Sequence, residues 1–391
     1  MNNKPTLLRK KSIFYQAGFS LVEILVGLVI GLLATLVIMQ VFSVFEGQKR
    51  TTTGSADAQT NGSIALYSIT NELKSAAFAM LPFGYAGIED SAIDCIAPVV
   101  STAASAVGVS TTSPLSPVII TDGGTGAGAS DSITIRYGDN GATGIPIEIG
   151  YSNNPPNIVV KNSDSCPKPP AGQVGVAVAL PGTTGNGCSI VTVTDVPVRL
   201  VVASNVYPTI TLGSTAGLSN ALSGGQQLVC LGNWREVTYR VNAGNLERNS
   251  SASVSDIVNI QAQYGIAAAG LTSSNPDFNK VTAWVNAVDG VYAENWGPTM
   301  TTANRNRIKS VHIAVVARNG LKEKTAVTQP TCSTNRGTVN NGPCAWDDTD
   351  PITSAAPKID LSSDAAWQNY RYRVFETIVP LRNVMLSKET L

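Results

Sequence analysis

Three regimes of hydrophobic patterning follow one another along the chain. The first is a continuous apolar run from Phe19 to Phe45, in which Glu23 is the only charge and Gln40 the only other strongly polar side chain. An α-helix rises about 1.5 Å per residue, so a hydrocarbon core of roughly 30 Å takes about 20 residues to cross. Residues 19–45 exceed that length and are predicted to form a membrane-spanning helix. Lys4, Arg9, Lys10 and Lys11 precede the run with no acid among them. The positive-inside bias places that end in the cytoplasm and the C-terminal mass across the membrane. An ordinary secretory signal has an apolar region of about 7–15 residues and a small-residue cut site after it. Here the run is longer, and the small residue, Gly18, lies ahead of it.

The second regime has helical period. Within residues 46–82, Ile69, Leu73, Ala76 and Met80 fall on one face, and Ile64 and Tyr67 extend it. Gly47, Gly54 and Gly62 loosen the middle of this amphipathic second half, and Pro82, Gly84 and Gly87 end it. Gly27 and Gly31, in the apolar half, are spaced as a GxxxG pair that permits close helix approach.

From about residue 88 the pattern shifts to period two, with polar loops. Strands are predicted at Val118–Thr121, Ser132–Tyr137, Ile145–Ile149, Ile158–Val160, Val174–Leu180, Ile190–Val193, Val198–Val202, Val237–Val241, Ile257–Tyr264, Ile308–Arg318 and Tyr370–Leu381. Gly244-Asn245 reads as a hairpin turn after Val241, and Val281–Val288 as a helix or an irregular segment. The fold class is α+β: a long N-terminal helix packed on an antiparallel β-rich globular domain, residues 83–391, with large loops.

Composition narrows the function. Charged residues make up 14% of the 391, and the formal net charge is zero. Removing residues 1–18 takes away four basic groups and no acidic one, leaving 23 basic against 27 acidic groups. No basic stripe for nucleic acid remains. The six cysteines, Cys95, Cys166, Cys188, Cys230, Cys332 and Cys344, all follow the membrane helix. An even number outside the cytoplasm predicts disulfides. Cys332 with Cys344 is the first pairing expected, across a short polar loop, and Cys166 with Cys188 the second. There is no CxxC and one histidine, His312, so no metal site or cofactor is expected.

Gly18-Phe19-Ser20-Leu21-Val22-Glu23 resembles the type III signal of type IV prepilins. The resemblance implies that a prepilin peptidase cuts between Gly18 and Phe19 and N-methylates Phe19. It also implies that Glu23 pairs with the new amine of a neighbouring subunit during assembly. Gln40 stands where many major pilins carry a helix-kinking proline. Toward the C-terminus, Trp234–Arg240, Asn245–Arg248, Ile260–Gly265, Arg307–Arg318 and Tyr370–Asn383 are similar to the PilW-type minor pilins of the type IV pilus. Residues 90–230 resemble that family only loosely, at Asp131–Ile135. The family implies a pilin-like fold and a subunit that is not an enzyme but the substrate of one. It implies residues 1–18 as a removed cytoplasmic leader and residues 83–391 in the periplasm. The expected partners are prepilin peptidase, other minor pilins, the major pilin, the inner-membrane assembly platform and membrane lipid. The subunit would move from the inner membrane, where it passes once, to a priming complex and the fibre tip. The alternatives are a minor pseudopilin of type II secretion and a pilus-associated adhesin.

Four further motifs carry chemically suggestive residues. Asp122–Ala129 contains a GxGxxA string, but a strand follows it where a dinucleotide site needs a helix, so it reads as a hairpin loop. His312 reads as a residue at a sheet surface. Asp347-Asp348-Thr349-Asp350 lacks the spacing of a calcium loop and reads as a solvated acidic turn. Tyr370, Arg371, Tyr372 and Arg373 alternate, so the arginines share one face of a strand, either solvated or a contact row for another subunit.

Overall fold

A computed structural model describes residues 18–80, 95, 98–110, 115–141, 144–154, 157–180, 188–202, 205–216, 222, 224–272, 274–291, 294–347 and 355–386. The chain divides into two compact units, Met1–Thr53 and Gly54–Leu391. The helix α1 (Leu21–Ser75) contributes to both.

The described part of the first unit is helical from Leu21, and its side chains from 18 to 49 are all exposed. Gln40 lies inside the unbroken helix.

The second unit is α+β. After the rest of α1 come β1 (Pro98–Val100), α2 (Thr102–Ala106), β2 (Val118–Thr121) and β3 (Ser132–Tyr137). Six strands follow: β4 (Pro146–Asn154), β5 (Asn157–Val160), β6 (Gly175–Ala179), β7 (Cys188–Val202), β8 (Asn205–Leu212) and β9 (Gln227–Gly232). Next are β10 (Arg235–Asn242), β11 (Asn245–Arg248), β12 (Ser251–Ser255), β13 (Ile257–Ile266) and β14 (Ala283–Val285). The chain ends its described course with β15 (Asp289–Val291), β16 (Glu294–Asn295), α3 (Thr302–Arg307), β17 (Ile308–Arg318), β18 (Cys332–Ser333), β19 (Val339–Asn340), β20 (Tyr372–Pro380) and α4 (Arg382–Met385).

Two antiparallel sheets face α1. One has the order β12-β11-β10-β3-β2 and the other β14-β13-β17-β20. A buried stripe on the helix, Gly54, Ala58, Gly62, Ala65, Ile69 and Leu73, recurs every three or four residues. From Ala58 onward its apolar members join one core with Ile133, Ile135, Val237 and Tyr239 from the first sheet and Tyr264, Val311, Ile313 and Val315 from the second. The glycines do not loosen this helix. A Cβ at Gly62 would collide with the Phe375 ring and one at Gly54 with the Asn319 side chain, so glycine here lets the helix lie close to the strands.

Three expectations are corrected. Ile64 and Tyr67 are 48% and 68% exposed, because small residues carry the buried stripe at that level. The helix ends at Ser75, ahead of Pro82, because Ala77 and Ala79 take the left-handed conformation (φ 66° and 61°). Ala77 N–H then bonds Arg136 O (3.1 Å), Gly138 N–H bonds Phe78 O (2.8 Å), and Asn383 Nδ2 donates to the freed Ala76 carbonyl (2.9 Å). Segment 281–288 contains the short strand β14, paired with β13 through Tyr264↔Val285, and not a helix.

The remaining strands form a second core. β7 pairs with β6 over Ser189–Val193, and from Val193 to Val202 it pairs with β8. The links β6–β9, β9–β4, β4–β5 and β5–β8 complete the circuit, so among the described residues these six strands close into an antiparallel barrel. Its interior holds Ile149, Ile158, Val160, Ala177, Val191, Ile210 and Leu228. The parallel strand β1 lies on the edge of β7. The whole barrel is inserted between β3 and β10, which are direct neighbours with Tyr137 opposite Arg235.

Candidate processing and assembly sites

Gly18, Phe19 and Ser20 lead into α1 and are exposed. The Ser20 hydroxyl accepts from Val22 N–H (3.3 Å), and its carbonyl accepts from Ile24 N–H (3.1 Å), so Ser20 caps the helix. Ser20-Leu21-Val22-Glu23 has the S-x-x-E spacing of a capping box, a signal in the sequence that a membrane-centred reading passes over. Glu23 sits in the first turn, where the helix dipole favours a carboxylate. From Leu25 to Phe45 the exposed surface is apolar apart from Thr35, Gln40 and Ser43. This is a carboxylate at one end of an apolar rod roughly 40 Å long, open on every side to partners or lipid.

At the other end of the chain, β20 pairs with β17 and runs beside α1. Arg373 donates to Ser55 Oγ of the helix (3.1 Å), and Arg371 bonds Glu323 (3.3 Å). Phe375 packs into the main core opposite Gly62. The alternation is as read: Tyr372 and Val374 face the other way, into a third cluster with Trp346, Ile359, Leu361 and Trp367. Tyr370 lies under the Arg318 guanidinium, 4.5 Å away.

His312 is not on an open sheet surface. Its ring stacks on Trp346 (3.7 Å between centroids, 19° between planes), with Trp284 tilted at 5.3 Å and Glu376 4.0 Å from Nε2. Burial pushes its pKa down to about 4. Asp131 is buried at the start of β3, where its two oxygens accept Gly123 N–H (2.9 Å) and Ala262 N–H (2.8 Å). Burial outweighs these two bonds and pushes its pKa up to about 7. Asp131 thus ties the glycine-rich loop, which connects the antiparallel pair β2 and β3, to β13. The loop is a hairpin connection with no helix after it. Asp347 accepts from Asn335 N–H (3.3 Å), while Asp348 and Asp350 lie outside the described residues. Among the described residues, no group of His, Cys, Asp and Glu side chains is placed to hold a metal ion.

The cysteines form three disulfides. Cys332–Cys344 (Cα–Cα 5.6 Å) closes the loop that carries β18 and β19. Cys166 is bonded to Cys230 (5.2 Å), and Cys95 to Cys188 (5.7 Å), not Cys166 to Cys188. The barrel explains the difference. Cys166 precedes β6, and β9, which carries Cys230, is the strand next to β6. Cys188 opens β7, whose parallel neighbour β1 begins three residues after Cys95.

Residues 223–383 match the family model described as PilW, type IV pilus-assembly protein W. The matched span runs from the last barrel strand through β10–β12 of the first α1-facing sheet and all four strands of the second to the residues just after β20. It supports the PilW assignment drawn from residues 234–383. No curated protein and no solved structure matches the chain.

Proposed function

With a PilW pattern over residues 223–383 as the premise, we propose that this chain is a minor pilin of the type IV pilus with a pilin-like architecture. In this reading residues 1–18 are a cytoplasmic leader. Prepilin peptidase cuts between Gly18 and Phe19 and methylates the Phe19 amine. Residues 19–45 hold the protein in the inner membrane and later in the filament core. Residues 46–82, helical as far as Ser75, lead to the periplasmic domain, residues 83–391. Glu23 pairs with the N-terminal amine of a neighbouring subunit, which removes two charges from an apolar setting at once. The processed subunit joins other minor pilins in a complex that primes the fibre, and it stays at the tip.

The observation that carries the reading is the joint presence of the PilW match and a fully exposed apolar helix with a single carboxylate in its first turn. The bulk of the barrel supports a capping place over a repeating one. A body of that size on every subunit would obstruct close stacking along a fibre.

The test is mass spectrometry of sheared surface fibres beside the cell envelope. Peptides beginning at methylated Phe19, at trace ratio to a major pilin in the fibre fraction, are expected. Processed protein confined to the envelope would favour a pseudopilin of type II secretion, and an intact leader would overturn the reading.

A further inference from the structure

Sheet edges are protected in this protein in two ways, and one strand has neither protection. The largest sheet closes on itself through β7 and β8. Other edges are short: β2 has 4 residues, β12 has 5 and β14 has 3. β20 has 9 residues and ends the four-stranded sheet, and among the described residues no strand pairs with its outer side. An open edge of that length presents a row of backbone donors and acceptors that another strand complements.

The edge also borders a groove. Leu66, Tyr67 and Thr70 of α1 form one wall and Phe375, Thr377 and Val379 of β20 the other, around a volume of about 490 Å³. Its middle is apolar: Leu66 and Phe375 are half-buried, and Tyr67 is 68% exposed. On the far face of the strand Ile378 is 52% exposed. Lys74 lines the groove, and Arg373, beside Ser55, lies on β20 two residues ahead of Phe375, so a cation flanks each end. Glu376 also borders the groove between these ends, with its carboxylate near His312.

We propose that β20 takes one strand from a different polypeptide, with apolar side chains at alternate central positions and acidic residues toward both ends, seated between the β20 edge and α1. A docked helix or lipid would cover the apolar walls and leave the backbone row unpaired; a strand satisfies both. A second copy offering its own β20 in two-fold pairing would bring the Arg373 end of one copy against the Lys74 end of the other. That places like charges together at both ends. The inference deepens the pilin reading, because the partner it implies there is a neighbouring subunit of another kind.

The test places a photo-crosslinking amino acid at Tyr67 or at Thr377 of the full chain, in cells that assemble fibres. Tyr207 on the barrel strand β8 is the control site. Cross-links from both groove positions to one other polypeptide are expected, at a segment of alternating apolar residues with acidic flanks, and none from Tyr207. The double substitution Lys74→Glu with Arg373→Glu should lower the yield at least tenfold without changing the thermal unfolding midpoint by more than a few degrees. Cross-links to a second copy, to a helical segment or to lipid alone would overturn the proposal, as would none at either site. If the protein co-fractionates with pilus subunits yet gives no cross-link, docking fails and the pilin reading stands. Cross-links to a strand of a protein outside the pilus give the converse.

Discussion

At the scale of single residues, three ionisable groups carry separable consequences. Glu23 is the lone charge of an exposed apolar rod, so on the proposed pairing its replacement is expected to change assembly more than local structure. In Glu23→Ala, cleavage before Phe19 is expected to continue near the normal level, while recovery in sheared fibres falls about tenfold or more, the effect of losing at least 1.4 kcal/mol of pairing. Normal recovery of this variant would sink the pairing idea. His312 and Asp131 work against each other. His312 has a folded pKa of about 4 against an ordinary 6.5, so the unfolded chain takes up its proton first. Stability from this group is whole above about pH 6.5 and falls by about 3 kcal/mol as pH drops to 4. Asp131 has a folded pKa of about 7 against 3.8, so the folded chain keeps its proton longer. Its contribution is whole below pH 3.8 and is lost as pH rises to 7. Urea midpoints of the full chain in detergent between pH 4 and 7 separate the two. The two nearly cancel in the parent, so His312→Phe should gain stability on acidification and Asp131→Asn should lose it; the slopes carry the result, because each substitution also shifts the absolute midpoint.

At the scale of elements, α1 shows what a sequence discloses and what it withholds. Ile69 and Leu73 were legible as the buried face of α1, while Ala76 and Met80, read onto the same face, are fully buried in the turn beyond its end. Upstream, hydrophobic size misleads. The chain buries Gly54, Ala58, Gly62 and Ala65 and leaves Ile64 and Tyr67 outside, because the strands come too close for a large side chain. Period alone could have found this stripe, since its spacing continues that of Ile69 and Leu73. Gly62→Ala gains about 1 kcal/mol of helix propensity and loses about 1–3 to the clash with Phe375, so net destabilisation is expected. Gly47→Ala, where an added Cβ meets nothing within 4 Å, should raise stability by up to about 1 kcal/mol. Thermal unfolding of both variants checks the contrast, and equal midpoints would contradict the close approach. Among strands, Val118–Thr121, Ser132–Tyr137 and Ile308–Arg318 have the limits their alternation suggests. β8 escaped because Pro208 interrupts its apolar alternation, and Ile190–Val193 and Val198–Val202 proved to be two ends of one long strand, β7.

At the scale of the whole molecule, the closed barrel left little trace in the sequence. Closure depends on β7 pairing with β6 at one end and β8 at the other, a long-range choice that local patterning does not encode. The proposed processing signal, by contrast, is local and is carried by six residues, Gly18–Glu23. The missed barrel is also why the second cysteine pairing went wrong. Cys166–Cys230 spans 64 residues and Cys332–Cys344 spans 12. On the chain-entropy account, losing the first through Cys166→Ser with Cys230→Ser costs ~4 kcal/mol, and losing the second ~3. Denaturant midpoints should fall in that order.

Tyr137 and Arg235 face each other across β3 and β10, and the six barrel strands lie between them in the chain. Topologically the barrel is the turn of a hairpin. A turn of that length closes slowly if it is slack, because distant contacts must wait for the loop to find its ends. A turn that has already folded brings its own ends together. Synthesis delivers the barrel strands, β4 to β9, before β10 exists, so the natural order of events is barrel first and hairpin second. The sheets that receive α1 are then completed only after the inserted body has taken shape.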